Sequence, residues 1–140
     1  MHTDPEQLRR IIVELVMNAI EAIGDQAGTI HLRSTLAQID PEFARDGELE
    51  ARLEKGEQFI ALEVQDTGCG MDSITVTKVF DPFFSTKFTG RGLGLAAVKG
   101  VVRSNGGAIR VRSKPGSGTL FQVVLPAAGK PLQVTTGEAR

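Results

Sequence analysis

Glu14, Asn18 and Glu21 recur at helical spacing near the start of the chain. At roughly 100° per residue they share a narrow arc beside an apolar stripe. An Asn side-chain carbonyl is a hard, neutral oxygen ligand, suited to a Mg²⁺ ion that also holds phosphates and waters. Glu14, one turn earlier, could polarise a water or an incoming nucleophile. The ordinary alternative is a solvated helix border, where Glu and Asn are common. A second cluster, Asp66-Thr67-Gly68-Cys69-Gly70-Met71, directly follows an alternating segment. An Asp at a strand end can accept a hydrogen bond from an exocyclic amine. The glycines beside it let backbone approach a flat ligand closely. The competing reading is a plain Asp-Thr-Gly turn.

Gly90-Arg91-Gly92-Leu93-Gly94-Leu95 opens an apolar helical segment. Glycines at a helix N-terminus expose N–H groups and the positive end of the dipole to an anion. Lys87 and Arg91 could add charge to that end. The competing reading is a hinge before a helix. The spacing is GxGxG with no preceding strand, so it is not the dinucleotide fingerprint, and no Gly-Lys-Ser/Thr closes it as a P-loop. Gly116-Ser117-Gly118-Thr119 is by itself a hairpin turn. Asp-Thr-Gly also occurs in aspartic proteases, but no second carboxylate loop is present to share the proton. Cys69 has no His nearby in sequence and is expected to be a small buried filler rather than a nucleophile.

The elements that must position these groups follow from periodicity. Asp4 can cap a first helix, Pro5 suits its first position, and Gln7 stands where a capping box needs it. Leu8, Ile11, Ile12, Leu15, Val16, Ala19, Ile20 and Ile23 form the helical stripe, and Gly24 ends it. Thr29 to Leu36 and Gln58 to Gln65 alternate as strands and should pair antiparallel, the second half-buried. Residues 37–56 are polar and charged, an insertion or long connection with no assigned role. A short helix is expected over Asp72–Val79 and a longer one over Gly92–Asn105. Ala108–Ser113 and Thr119–Leu125 read as two strands joined by a turn. Phe80, Phe83, Phe84 and Phe88 fall in a stretch of no regular period; some should pack beneath the loop that carries them. From Pro126 onward the chain is polar, a frayed end or linker.

Composition narrows the function classes. With 140 residues the chain suits one domain. Its 16 Lys+Arg against 17 Asp+Glu leave no electrostatic footprint for nucleic acid or an anionic membrane. No apolar run approaches the ~20 residues that span a bilayer, and the N-terminus lacks an apolar signal region. One cysteine excludes an internal disulfide framework. Two histidines, His2 and His31, leave little for a His-based metal cluster.

In order, the clusters resemble the ATP-binding catalytic domain of bacterial sensor histidine kinases, within the wider family of gyrase, MutL-type and chaperone ATPases. Glu14–Ala19 looks like the N box and Asp66–Met71 like the first glycine box. Phe80–Lys87 looks like the F box, Gly90–Ala96 like the second glycine box, and Gly116–Thr119 like the third. The resemblance covers about Asp4 to Pro126, residues 1–126 forming the domain and 127–140 a tail. It implies a Bergerat-type α/β two-layer sandwich: a mixed, mostly antiparallel sheet of about five strands under about three helices.

The resemblance further implies that Asn18 holds Mg²⁺ bridging the ATP phosphates and that Glu14 helps activate the acceptor. Asp66 would accept from the adenine amino group, with Gly68, Gly70, Met71 and Thr119 around the base. Residues 71–92 would form the ATP lid. Gly92, Leu93, Gly94 and Leu95 would start the phosphate-facing helix, and Lys87 and Arg91 would meet phosphate charge. Many members carry a basic residue shortly after the N-box Asn; here Glu21 stands there.

The partners implied are a histidine-bearing dimerisation domain of the same parent protein and a downstream response regulator. Neither His2 nor His31 sits in the acceptor pattern of that domain. The chain is therefore expected to bind Mg²⁺-ATP, to remain monomeric and cytoplasmic, and not to phosphorylate itself. An anti-sigma-type protein-serine kinase and a non-catalytic nucleotide-binding module are the competing readings.

Overall fold

A computed structural model describes residues 5–36, 56, 58–81 and 94–127. The first helix, α1, spans Pro5–Ile23 and buries Ile11, Leu15 and Ala19, one side of the expected stripe. Gly24 ends it with a φ of 65°, and its N–H donates to the Ile20 carbonyl at 3.1 Å. That is the left-handed stop that glycine adopts at least cost. The proposed cap, Asp4, lies outside the described residues. Gln7 Oε1 accepts from Asn105 Nδ2 at 3.1 Å. The start of α1 is thereby tied to the end of another helix.

The sheet contains β1 (Ile30–Leu36), β2 (Phe59–Asp66), β3 (Ala108–Ser113) and β4 (Thr119–Pro126). The strand order is β1-β2-β4-β3, and every pairing is antiparallel. Against the expected five-stranded mixed sheet, the described residues thus form four strands with no parallel pair. The other two helices among the described residues are α2 (Ser73–Lys78) and α3 (Gly94–Ser104). Asp72 caps α2 by accepting the Thr75 N–H at 2.7 Å, which satisfies a donor the helix cannot pair internally.

Register decides which strand residues meet the helices. Leu62 stands opposite Val123, and Val64 opposite Phe121. These four, with Leu125, join Ile11, Leu15 and Ala19 of α1 and Val98 and Val102 of α3 in one buried cluster. Burying a side chain of this size stabilises by about 1.5–3 kcal/mol before entropy is counted. The cluster is therefore what holds both helices on one face of the sheet. The strand β2 departs from the half-buried pattern at its start. Phe59 belongs to the opposite face, yet it and Val124 of that face are also buried.

Farther along the outer face a polar row crosses all four strands. Arg33 Nη1 lies 3.9 Å from Glu63 Oε1, Gln122 Nε2 donates to Glu63 Oε2 at 2.7 Å, and Arg110 Nε donates to Gln122 Oε1 at 2.9 Å. Strand β1 is an exposed edge, with Leu36 66% accessible. Its hydrogen bonds to β2 rather than apolar burial hold it in place.

Candidate functional site

Asp66 ends β2 on the helix-bearing face, opposite Thr119 of β4 and Ile30 of β1. Only 2% of it is accessible. One carboxylate oxygen, Oδ1, accepts the Gly68 N–H at 2.8 Å. The other, Oδ2, is buried with no hydrogen-bond partner among the described residues. Burial pushes the Asp66 carboxyl above its usual range, while hydrogen bonding from the Gly68 and Thr119 backbone pulls the other way. A buried acceptor left unpaired costs about 1–3 kcal/mol. Such an atom at a strand end marks a place where a ligand donor would be welcome.

The loop after Asp66 is clamped from both sides. The Cys69 N–H donates to the Ala22 carbonyl of α1 at 3.1 Å, and the Cys69 carbonyl accepts from Gly116 N–H at 2.7 Å. Thr67 closes against the start of β1: its N–H reaches the Thr29 carbonyl at 3.2 Å, and its Oγ1 accepts from Thr29 N–H at 2.9 Å. Gly70 has a φ of 70°, and a Cβ there would strike the Lys114 carbonyl oxygen. Gly118, with a φ of 79°, brings the turn's backbone against the Asp66 carbonyl oxygen, leaving no room for a side chain. Both glycines are therefore required by conformation and by space.

With its backbone clamped between α1 and the β3–β4 turn, this loop turns the Cys69 side chain outward. Cys69 is exposed, not the buried filler its sequence context suggested.

Ser113 is a residue that motif reading missed. Its Oγ accepts the Met71 N–H at 2.8 Å and donates to the Gly118 carbonyl at 3.0 Å. It also lies 2.8 Å from Thr119 Oγ1. A hydroxyl has one proton, so Thr119 is the donor in that last contact. One serine thus joins the first glycine cluster, the third, and the threonine that faces Asp66. No sequence pattern announces it; only its place as the last residue of β3, opposite Thr119, hints at it.

The other half of the site lies between α1 and α3. Glu14, Asn18 and Glu21 are all half-buried along one edge of α1, as their spacing requires. The Asn18 amide has no hydrogen-bond partner among the described residues. Among the described residues, no group of three or more His, Cys, Asp or Glu side chains could hold a metal. An ion here would take Asn18 and ligand oxygens instead, the set Mg²⁺ prefers when it binds with phosphates.

Gly94 is the first residue of α3, and Leu95 and Met71 pack against the buried cluster. Phe80 meets Phe121 edge-on, ring centroids 6.2 Å apart, and Lys99 Nζ sits 5.3 Å from the Phe80 ring centre. Phe80 thus anchors the segment that follows α2. Residues 71–81 of the expected lid are described. Lys87, Arg91, Gly92 and Leu93, with Phe83, Phe84 and Phe88, lie outside the described residues.

Comparison with known proteins agrees with this geometry. Residues 3–129 match the family described as Histidine kinase-, DNA gyrase B-, and HSP90-like ATPase. The chain is 34% identical over 131 residues to the sensor histidine kinase ZraS of Klebsiella oxytoca, covering 93% of this chain and 24% of that protein. It is 37% identical over 122 residues to the C4-dicarboxylate transport sensor protein DctB of Rhizobium meliloti, covering 87% of this chain and 17% of that one. The chain therefore spans about a quarter or less of these relatives' length.

Among solved structures, the mycobacterial sensor histidine kinase MprB superposes with a TM-score of 0.65 at 31% identity, covering 88% of this chain and 72% of that one. The catalytic domain of the histidine kinase ThkA gives 0.63 at 26% identity, covering 89% and 68%. The described elements, three helices over a four-stranded antiparallel sheet, are those of that fold. The chain belongs to the histidine kinase-, DNA gyrase B- and HSP90-like ATPase family, as a histidine kinase catalytic ATPase domain.

Proposed function

We propose that this chain binds Mg²⁺-ATP across the face between α1 and α3. It would donate the γ-phosphoryl group to a histidine on a separate dimerisation domain of the same parent protein. The observation that carries the reading is the buried Asp66 carboxylate with one oxygen unpaired. An ionised carboxylate accepts hydrogen bonds only, so it selects the exocyclic amine of adenine over a carbonyl. Gly68, Gly70, Met71 and Thr119 shape the surface around the base, and Ser113 holds three of the segments that form it. At the other end Asn18 would hold Mg²⁺, which would supply charge neutralisation for the phosphates. Gly94 and Leu95 open α3, and the proposed phosphate contacts are completed by Gly92 and Leu93, with Lys87 and Arg91 adding positive charge. Catalysis of this kind is positioning plus electrostatic stabilisation. Glu14 acts at the acceptor end.

The position of His31 supports an external acceptor. It pairs with Gln65 on the sheet face opposite Asp66, so the sheet separates it from the site. The match to two-component sensor kinases supports a response regulator as the onward partner. Among the described residues no helix is long and apolar enough to cross a membrane. We place the domain in the cytoplasm as a monomer.

Thermal unfolding with and without Mg²⁺-ATP tests the reading, since a ligand that binds only the native state raises the melting temperature. A rise in the wild type and none in Asp66→Asn is expected; equal behaviour of the two would sink it. Incubation with γ-labelled ATP should leave the chain unlabelled alone and label a dimerising histidine hairpin supplied in trans.

A further inference from the structure

Glu14 and Gly94 come from two elements whose sequences give no reason to meet, yet they touch. A Cβ placed on Gly94 would lie 2.5 Å from Glu14 Oε2 and 3.4 Å from its carboxyl carbon. The missing side chain of Gly94 thus lets the Glu14 carboxylate of α1 approach the start of α3. Gly94 opens α3, a helix of 11 residues with no acidic residue in its own first turn. The start of a helix carries unpaired N–H groups and a partial positive charge. A carboxylate held there is favourable, and Glu14 is engaged in an interaction within the folded chain.

We infer that the Glu14 carboxylate occupies the N-terminal end of α3 as an internal anion with which nucleotide phosphates must compete, so that it sets the metal requirement of nucleotide binding. This rests on the nucleotide reading above. Phosphate brought to α3 meets the same N–H groups that attract Glu14, and it also meets the Glu14 charge. A phosphate group bare of metal suffers most from that charge. A phosphate group partly neutralised by Mg²⁺ at Asn18, one turn along the same helix, suffers least. Adenosine brings no phosphate and should not sense Glu14 at all.

The test measures binding of adenosine, ADP and ATP to the wild type and to Glu14→Gln, each with Mg²⁺ and with EDTA. Glu14→Gln should bind ADP and ATP about three- to tenfold more tightly in EDTA. The gain should shrink in Mg²⁺ and vanish for adenosine. Without nucleotide the variant should melt at a lower temperature, because the helix end loses its anion. Glu14→Asp withdraws the charge by one methylene and should show the same ordering with a smaller gain, which covers the case of a poorly folded Gln variant. An equal gain for adenosine would mean a change in pocket shape and overturn the inference. So would unchanged affinity for all three ligands. If the wild type binds none of the ligands, the nucleotide reading itself fails, and this inference with it.

Discussion

The two ends of the site are built by opposite means. Around Asp66, the backbone is held by Ala22, Thr29, Gly116 and Gly118, and the Ser113 hydroxyl makes three contacts within 3.0 Å. Between α1 and α3, the side chains are half-buried, and the Asn18 amide has no partner among the described residues. The first end is shaped before any ligand arrives; the second holds charges that a ligand must rearrange. Adenine is flat and neutral, so a pre-formed cleft suits it and little ordering cost remains at binding. A triphosphate carries a high charge and arrives with a metal. On the proposed reading it would meet the Glu14 carboxylate beside the start of α3.

This contrast can be broken by substitution. The largest effect is expected at Asp66. Asp66→Asn replaces an acceptor-only group with one that also donates, and ATP affinity should fall about 10- to 100-fold in calorimetry. Affinity for ADP and adenosine should fall by the same factor, because the loss lies at the base. A loss confined to ATP would show that Asp66 acts at the phosphates and would dissolve the contrast. Next comes Asn18→Ala, which should weaken Mg²⁺-ATP about tenfold and leave adenosine unchanged. If adenosine also weakens, the two ends are one coupled unit.

Ser113→Ala removes the joint between Met71, Gly118 and Thr119. It should lower stability by about 1–3 kcal/mol and weaken all adenine ligands by a similar factor. Normal adenosine affinity in a destabilised variant would show that the base end does not depend on that joint. Asn105→Ala offers a control. Its side chain ties α3 to Gln7 and the Val101 carbonyl far from either end. Melting temperature should drop while ligand affinities stay within about twofold.

Acidity provides the mildest probe. The Asp66 carboxyl is raised in the folded chain, so the native state holds that proton more readily than the unfolded state. Its contribution to stability should therefore fall as pH rises from the ordinary carboxylate value through the raised one. Adenosine affinity should move the other way across the same window, because the ionised group is the stronger acceptor for the amine. Asp72, lowered by the Thr75 hydrogen bonds, contributes stability above the ordinary carboxylate value that is lost as pH falls through its own lowered one. Asp66→Asn should abolish the first trend and spare the second; chemical denaturation against pH would show whether it does.

Much of this was legible in the amino-acid order. The stripe of α1, its stop at Gly24, the Asp72 start of α2 and the four strands all follow from local periods and turn residues, and each lies within a residue or two of its expected bounds. The order of the glycine clusters identified the family. The half-buried reading of β2 failed at Phe59, because alternation says which residues share a face but not whether the second face is covered. Cys69 failed for a related reason: the lack of a nearby His argued only against a nucleophile and said nothing of burial, and the clamp on its backbone comes from Ala22 and Gly116.

What the sequence determined by itself is the set of local elements and the chemistry each could offer, since period and backbone preference act over a few residues. Which groups meet was decided by the tertiary structure. Ser113 reaches Met71 across 42 positions, and Glu14 reaches Gly94 only because α1 and α3 pack side by side on one sheet face. Strand register placed Asp66 opposite Thr119 rather than on the outer face with His31. Register belongs to the whole sheet and its core, and a shift of one residue would have reversed it.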